Sequence, residues 1–239
     1  MHQIKQSNKL KEYLSHHEIE LFIKLQKIIE KLNKITNLTR LINDDDYWIS
    51  QVYDSLWPFY ENRNEFDHKK RFIDIGSGCG FPGIAYAITH PNSEVYLIDS
   101  SKKKTDALEI IKNEMDLKSN IFIIQDRIEN LAHKINYRYQ FDIGTARAVG
   151  SPSEVAEYIL PILNKTGTGI LYCGRWNAED QTKLEKSLKI LKGYINHSQT
   201  IDLPANKGVR NVIQVKPEAS CPNKYPRKIG KPAKYPLGN

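Results

Sequence analysis

A glycine-rich turn carries the first residues of the chain that could perform chemistry. Gly76, Gly78 and Gly80 directly follow the apolar segment 71–75, and an apolar helical pattern begins after Gly83. Glycines let a turn adopt positive φ, and they let the backbone lie directly against a ligand. The N-terminus of the following helix adds free N–H groups and a partial positive charge. A strand, a glycine turn and a helix in this order are typical of the opening unit of a nucleotide-binding α/β domain.

An acidic residue at the end of the next predicted strand strengthens this interpretation. Residues 94–99 form an apolar strand pattern that ends in Asp99, about twenty residues beyond the glycines. A carboxylate at this place accepts hydrogen bonds from the hydroxyl groups of a ribose. Residues 71–99 therefore predict an adenosine-containing cofactor. The alternative is that the glycines serve only a tight turn.

The acid in front of the glycine turn helps to distinguish between two candidate cofactors, a dinucleotide and S-adenosylmethionine. Residues 78–83 match the G-x-G-x-x-G pattern of dinucleotide binding. Asp74 lies two residues before the first glycine, where a fixed carboxylate would repel a pyrophosphate. The same carboxylate would suit the cationic end of S-adenosylmethionine, which has no phosphate. The order strand, Asp74, glycines and Asp99 resembles the class I methyltransferase family, so we expect S-adenosylmethionine, with NAD as the alternative.

The composition indicates a basic globular protein. Of 239 residues, 35 are Lys or Arg and 28 are Asp or Glu, a formal net charge of +7. This surplus favours a polyanionic partner such as nucleic acid. We expect no membrane span and no signal peptide. The three cysteines are far apart, which argues against a metal site or a disulfide and for the cytoplasm. We take a monomer as the expected state.

The first 65 residues are predicted to form a helical extension. Apolar side chains recur on one face of a helix over residues 15–35, and Ser15 with Glu18 forms a capping-box pattern at its start. We expect this face to pack on the main domain. Two further segments complete the extension: an aromatic helix from residue 47 that ends at Pro58, and a polar linker over residues 61–70.

Residues 66–216 are predicted to form the main domain, in which strands and helices alternate. This alternation predicts a mostly parallel sheet with helices on both faces, a Rossmann-like α/β fold. The uniformly apolar run 121–124 is expected to be a buried strand. The predicted strands cover residues 71–75, 94–99, 121–124, 141–145 and 169–173, with two more near 194–203 and 209–215.

Residues 217–239 are predicted to form a basic tail. Its five prolines argue against a helix, and residues 216–239 hold six basic side chains and one acidic side chain. Tyr225 and Tyr235 are interleaved with them. An extended basic tail with aromatic residues suits phosphate contacts and base stacking on RNA. A solvated, disordered tail is the alternative.

Several short segments, in a fixed order, resemble the glucose-inhibited division protein B family, the bacterial ribosomal small-subunit methyltransferase G. The resemblance covers nearly the whole chain, from about residue 20 to the end. The glycine turn by itself is common to a larger superfamily. The segments are NLT (37–39), YDSL (53–56), FIDIGSGCGFPGI (72–84), IDSSKKK (98–104), DRIE (126–129), TARAV (145–149), RNVIQVK (210–216) and YPRKIGKPAKYPL (225–237).

The resemblance implies a class I methyltransferase that uses S-adenosylmethionine to methylate N7 of one guanine in 16S rRNA of the small ribosomal subunit. Asp99 would hold the ribose, Ile128 would pack on the adenine, and backbone near Glu129 would read the edge of the adenine. The residues expected to contact the cofactor are Gly76, Phe81, Asp99, Ser100, Ser101, Ile128, Glu129 and Arg147.

Two positions depart from the pattern of the family. This chain has Ser50-Gln51 where the family often has Arg-His, and Gly174-Arg175 near the end of the fifth strand, where the family often has a Lys. Both departures are expected on the RNA side of the site and not on the cofactor side.

Methylation at N7 requires little acid–base catalysis. The nitrogen carries an in-plane lone pair and no proton, so alignment with the methyl group should supply most of the rate. Arg147 is the predicted catalytic residue, since it follows the fourth strand and can orient a guanine or a phosphate, or hold the carboxylate of the cofactor. Arg210, Arg227 and Lys228 are predicted to bind the RNA. The alternatives are a methyltransferase for a small molecule or a protein, and a non-catalytic RNA-binding protein.

Overall fold

The computed structural model describes residues 8–60, 66, 69–117 and 120–239, and a seven-stranded sheet lies at its centre. The spatial order of the strands is β3-β2-β1-β4-β5-β7-β6. The pairs among β1 to β5 are parallel, and β7 is antiparallel to both β5 and β6. This confirms the predicted mostly parallel sheet. The strands are β1 (Arg71–Ile75), β2 (Glu94–Asp99), β3 (Ile121–Gln125), β4 (Phe141–Arg147), β5 (Leu163–Cys173), β6 (Gly193–Leu203) and β7 (Gly208–Pro217).

Helices cover both faces of the sheet. Phe72 and Ile73 are neighbours in β1, yet they belong to different hydrophobic clusters, because successive strand residues point to opposite faces. One cluster includes the helices before residue 117, and the other includes helices α7 to α9. The helices are α1 (Asn8–Tyr13), α2 (His16–Thr36), α3 (Asp44–Tyr47), α4 (Asp54–Tyr60), α5 (Gly83–Thr89), α6 (Lys102–Glu114), α7 (Ile128–Leu131), α8 (Pro152–Ile159), α9 (Ala178–Leu191) and α10 (Lys231–Lys234).

The predicted capping box starts the long N-terminal helix. Ser15 Oγ accepts a hydrogen bond from the Glu18 N–H at 3.2 Å, and Glu18 Oε2 accepts one from the Ser15 N–H at 2.7 Å. The buried face of α2 packs against α6. This face therefore lies against a helix of the predicted main domain, and the division of the chain at residues 65 and 216 stays a prediction.

The aromatic segment differs from its prediction. Helical structure runs from Asp44 to Tyr60 without a break, and a π-helical stretch, Trp48–Tyr53, joins α3 to α4. Pro58 lies inside α4 and does not end it. Because proline has no N–H, Pro58 donates no helical hydrogen bond to the carbonyl of Asp54, at the end of the widened turn. The linker predicted at 61–70 lies mostly outside the described residues.

Strand β3 is an edge strand, which corrects the prediction that it is buried. It pairs with β2 alone among the described strands, and Phe122 is 39% exposed. An uninterrupted apolar run is compatible with the centre or with the edge of a sheet, so the sequence pattern did not separate the two.

The C-terminal tail is folded, which corrects the expectation of an extended or disordered segment. Cys221 and Tyr225 are buried against the cluster formed by α7 to α9. Arg138 donates hydrogen bonds to the carbonyls of Cys221 and Tyr225 at 3.0 and 2.9 Å. The single-turn helix α10 accommodates Pro232 in its first turn, where no helical N–H is needed.

A buried ion pair anchors this tail. Arg227 Nη2 and Nε donate to the two carboxylate oxygens of Glu157 at 2.7 and 2.9 Å. The Glu157 side chain is fully buried, while a quarter of the Arg227 side chain (24%) is exposed. A second anchor follows, in which the Gly230 N–H donates to Glu129 Oε1 at 3.0 Å. The tail is therefore fixed to α7 and α8.

We expect Arg227→Ala to lower the free energy of unfolding by about 3 kcal/mol, because Glu157 would remain buried without its counter-charge. Lys228→Ala is the matched control, since it removes an exposed neighbouring charge and should change stability by less than about 0.5 kcal/mol. Urea unfolding followed by circular dichroism measures both variants. Equal unfolding midpoints for the two variants would contradict a structural role for the ion pair.

Candidate active site

The glycine turn lies at the carboxyl edge of the parallel strands. Gly76 has φ +71°, and a Cβ built on it would lie 2.7 Å from Val149 Cγ2. Gly83 begins α5 so close to the sheet that a Cβ there would lie 2.2 Å from Leu97 Cδ2. Larger residues at either position would push the turn away from β1 and β2. This is the glycine turn that the sequence predicts.

Ser77 joins the turn to β2, a role that sequence analysis missed. Its hydroxyl donates to the carbonyl of Asp74 at 2.9 Å and accepts from the Ile98 N–H at 3.0 Å. The N–H groups of Gly76 and Ser77 both donate to the carbonyl of Ile98. These bonds fix the turn between its two strands. A serine within a glycine run carries no sequence signal for such a role.

Asp74 supports the turn from behind, which corrects the expectation that it faces the cofactor. Its carboxylate accepts hydrogen bonds from the Gly83 N–H and the Thr145 hydroxyl, both at 3.0 Å. The residue is 1% exposed and is absent from the described residues that line the two cavities below. It therefore joins β1, β4 and α5. Burial raises the pKa of Asp74 to about 6, although both hydrogen bonds and the charge of Arg147 lower it.

A cavity of about 210 Å³ lies beside the ends of β2 and β3. Asp99 is 5% exposed, and its Oδ2 and Oδ1 accept hydrogen bonds from the N–H groups of Gly78 and Ser101 at 3.1 and 2.9 Å. Lys104 Nζ lies 3.5 Å from Asp99 Oδ2. The predicted cofactor residues that line this cavity are Gly76, Asp99, Ser100, Ile128 and Glu129.

These residues fit an adenosine. A carboxylate has about four acceptor sites, so Asp99 can still accept from ribose hydroxyls. The apolar side chains of Ile128 and Val149 line the same cavity and suit a purine ring. Glu129 is also engaged elsewhere, since its side chain holds Gly230 of the tail. Ser101 is not among the described lining residues; it contributes its N–H to Asp99.

A second cavity of about 610 Å³ adjoins the first, and both are lined by Gly76, Lys104 and Ala148. Its walls come from the glycine turn, the end of β4 and the segment 38–54. Phe81 and Arg210 line this cavity and not the smaller one. Exposed Arg175 also lines it. The glycine turn therefore lies between a pocket that fits adenosine and a larger cleft with arginines.

Arg147 enters this cleft from the end of β4, but the N-terminal segment holds its guanidinium group. Nη1 donates to the carbonyl of Ser50 at 3.0 Å and to Asp54 Oδ2 at 3.3 Å, and Nη2 donates to Gln51 Oε1. The Arg147 side chain is 16% exposed. Asp54 Oδ2 also accepts from Arg210 Nε at 3.3 Å. One buried carboxylate thus lies between two arginines of the cleft.

The structure places the predicted RNA-binding residues in two groups. Arg210 lies in the cleft, beside Asp54. Arg227 is paired with Glu157, and Lys228 next to it is exposed. Neither of these two tail residues is among the described residues that line the cavities. Their assignment to RNA stays a prediction.

The residues missed by sequence analysis are mainly on the N-terminal segment. Gln51 was noted only as a departure from the family pattern on the RNA side, and Asp54 only as a letter of a shared motif. In the structure Gln51 contacts both Arg147 and the Sγ atom of Cys79 in the glycine turn. The segment expected to be an outer extension therefore forms one wall of the site.

The strand order with an antiparallel β7, together with the glycine turn and Asp99, defines a class I methyltransferase with a Rossmann-like fold. A protein of Klebsiella pneumoniae assigned as an O-methyltransferase has a similar structure, with a TM-score of 0.63 and 10% identity, over 91% of this chain and 97% of that chain. The tRNA methyltransferase TrmK of B. subtilis has a TM-score of 0.52 and 12% identity, over 68% of this chain and 65% of that chain.

Residues 18–206 match the GidB family, described as rRNA small subunit methyltransferase G. A ribosomal RNA small subunit methyltransferase G of Prochlorococcus marinus (strain MIT 9312) is 59% identical over 230 residues, which cover 95% of this chain and 96% of that protein. Another, of strain NATL1A, is 45% identical over 231 residues, covering 97% and 93%. The chain belongs to the GidB family.

The described part of the chain holds neither a cluster of metal ligands nor a membrane-spanning helix. No group of three or more His, Cys, Asp or Glu side chains among the described residues is arranged to hold a metal ion. No helix in the same part of the chain is both long enough and apolar enough to cross a membrane.

We expect Asp74→Asn to change the pH dependence of stability. The folded protein holds the Asp74 proton up to pH about 6, whereas the unfolded chain releases it near pH 4. The stability that this carboxyl contributes is complete below about pH 4 and is lost as the pH rises to about 6. Asn does not titrate and keeps an acceptor for the Gly83 N–H. Its NH₂ group can donate to the Thr145 hydroxyl, which can in turn donate to the carbonyl of Ile73 at 3.4 Å.

Urea unfolding of wild type and Asp74→Asn at several pH values tests this expectation. The variant should gain stability relative to wild type by about 1.4 kcal/mol for each pH unit between 4 and 6. A difference in unfolding free energy that stays constant across this range would show that the pKa of Asp74 is not raised.

Proposed function

We propose that this protein transfers the methyl group of S-adenosylmethionine to N7 of a guanine in 16S rRNA of the small ribosomal subunit. Membership of the GidB family and the names of the Prochlorococcus relatives support the substrate. The observation that carries the proposal is the glycine turn between the adenosine-sized cavity at Asp99 and the cleft at Arg147. This arrangement suits a nucleoside cofactor on one side and an anionic polymer on the other.

The residues of the smaller cavity bind and orient the cofactor. Asp99 accepts hydrogen bonds from the ribose, and Ile128 and Val149 enclose the adenine. The backbone at Gly76 approaches the cofactor closely, because no side chain intervenes. When bound, S-adenosylmethionine supplies an electrophilic methyl group on a sulfonium.

The residues of the cleft orient the target base. N7 of guanine has a free lone pair and loses no proton in the reaction, so a general base is unnecessary. Arg147 is the proposed catalytic residue, because its remaining N–H donors can hold guanine O6 or a neighbouring phosphate in a fixed plane. The rate then depends chiefly on placing N7 in line with the methyl group.

Basic residues around the cleft and on the tail supply phosphate contacts. Arg175 and Arg210 line the cleft itself. Lys228 and Lys231 are exposed on the folded tail, which is anchored through Glu129 at the smaller cavity. The formal net charge of +7 favours association with RNA. The proposal takes the protein to act as a monomer in the cytoplasm, as expected from the sequence analysis.

Mapping of methylated nucleotides tests this function directly. Small-subunit RNA from cells that lack the gene is incubated with the purified protein and S-adenosylmethionine, digested, and analysed by mass spectrometry. We expect one new N7-methylguanine in 16S rRNA. Methyl transfer to a protein or a small metabolite, with unchanged rRNA, would contradict the proposal.

The tail lysines should contribute to RNA affinity through phosphates. The double variant Lys228→Ala/Lys231→Ala should reduce the slope of log K against log salt concentration by about 0.7 to 0.9 for each phosphate that these lysines neutralise in the wild type. Arg227 is kept, because it holds the tail. The matched control, Lys24→Ala/Lys27→Ala on α2 over the opposite face of the sheet, removes the same charge.

Filter-binding titrations of small-subunit RNA at several salt concentrations measure both slopes. The control should keep the wild-type slope, and both variants should bind S-adenosylmethionine like wild type. Identical slopes for the two double variants would exclude the tail from the RNA interface.

A further inference from the structure

Gln51 connects three separate parts of the site. It is 2% exposed, lies in the π-helical stretch before α4, and lines the larger cavity. Its Nε2 donates to Thr39 Oγ1 at 3.1 Å and to Cys79 Sγ at 3.5 Å. Its Oε1 accepts from Arg147 Nη2. The N-terminal segment, the glycine turn and the end of β4 therefore meet at a single amide group.

The orientation of this amide follows from its partners. A reversed amide would set its NH₂ group against the guanidinium of Arg147, which has donors and no acceptor. The present orientation gives the amide oxygen a donor and the amide nitrogen two acceptors. Burial makes the arrangement costly to break, because an unpaired polar atom there would have no water to replace its partner.

The contacts also show which N–H donors of Arg147 are not used by the described residues of the protein. A guanidinium carries five N–H donors, and Ser50, Asp54 and Gln51 accept three of them. No described residue accepts from the Nε–H or from the second hydrogen of Nη2. These donors remain for a ligand in the cleft. Ser50 and Asp54 both accept from Nη1, whereas Gln51 is the described residue that accepts from Nη2 and so holds the second terminal nitrogen of the group.

We propose that Gln51 is a positioning residue that sets the plane of the Arg147 guanidinium toward the target base. The proposal rests on the proposed function of Arg147. Without the Oε1 acceptor, Arg147 would keep its two bonds at Nη1, but Nη2 would lose its protein partner and the plane of the group would be held less rigidly. A small misplacement of a group that aligns reactants can lower a rate by about a hundredfold. The cavity that fits adenosine lies on the other side of the glycine turn, so affinity for the cofactor should depend much less on this contact than turnover does.

Three variants separate positioning from packing. Gln51→Leu keeps a side chain of similar size and removes the acceptor for Arg147. Gln51→Glu keeps that acceptor and loses the amide donors. Thr39→Val removes the other partner of the amide and leaves the bond to Arg147 in place.

Turnover on small-subunit RNA, calorimetric affinity for S-adenosylmethionine and thermal stability are measured for each variant. We expect Gln51→Leu to lower turnover by about 10- to 100-fold with cofactor affinity within about twofold of wild type. Gln51→Glu should stay within about threefold of wild-type turnover, because it keeps the acceptor for Arg147, and Thr39→Val should lower turnover less than Gln51→Leu does. Equal losses in Gln51→Leu and Gln51→Glu, or wild-type turnover in Gln51→Leu, would overturn the proposal.

A comparison with Arg147 itself adds a second criterion. Arg147→Lys keeps the charge but loses the planar group, so turnover should fall about tenfold, or about 1.4 kcal/mol of barrier. If Gln51 acts through Arg147, adding Gln51→Leu to Arg147→Lys should lower turnover little further. Additive losses would show that Gln51 acts independently of Arg147.

A spectroscopic measurement keeps this inference separate from the substrate assignment. The NMR signal of the Arg147 Nε–H should broaden or shift in Gln51→Leu and stay close to wild type in Gln51→Glu. This readout needs no RNA, so it stands even if the wild-type protein leaves 16S rRNA unmethylated. An unchanged signal in Gln51→Leu would overturn the positioning role whatever the substrate is.

Discussion

The buried carboxylate of Asp74 is the group on which the geometry of the site depends. It accepts hydrogen bonds from the first residue of α5 and from Thr145 of β4, and it belongs to β1 itself. Three elements therefore meet at one side chain directly behind the glycine turn. The raised pKa shows that burial of this acid is unfavourable in its charged form. Burying this carboxylate is unfavourable, but its hydrogen bonds give the turn one defined position relative to the strand ends.

The need of Arg147 for hydrogen-bond partners explains why a helical extension forms part of the cleft. The sheet presents Arg147 at its carboxyl edge, but it offers no partner for the guanidinium there. The segment from Asp44 to Tyr60 supplies Ser50, Gln51 and Asp54 within its widened turn and the residue that follows it. π-Helical turns often occur at functional sites, because the extra residue changes which side chains share a face. The N-terminal helices thus contribute both to the core and to the wall of the cleft.

Local patterns predicted much of the fold and of the cofactor side. The glycine turn, Asp99 and the capping box at Ser15 depend on residues close in sequence, so their spacing is informative. The hydrogen bonds that were missed join distant residues: Gln51 and Arg147 are 96 positions apart, and Glu157 and Arg227 are 70 apart. The hydrophobic periodicity of a sequence contains no information about such distant pairs. The inward orientation of Asp74 was missed for a related reason, since strand alternation gives the face of a side chain and not its hydrogen-bond partners.

The tail shows how composition alone can mislead about order. Prolines and lysines are typical of disordered segments, because such residues bury little apolar surface. Here Tyr225 and Cys221 supply buried surface, and Arg227 supplies a charge for an acid that α8 already buries. The ordering cost is therefore offset by contacts that the main domain requires. Since Gly230 also binds Glu129, which lines the smaller cavity, the exposed lysines of the tail are held in a fixed place relative to that cavity. An anchored basic surface loses less entropy on binding RNA than a free tail would, so the same few charges are more effective.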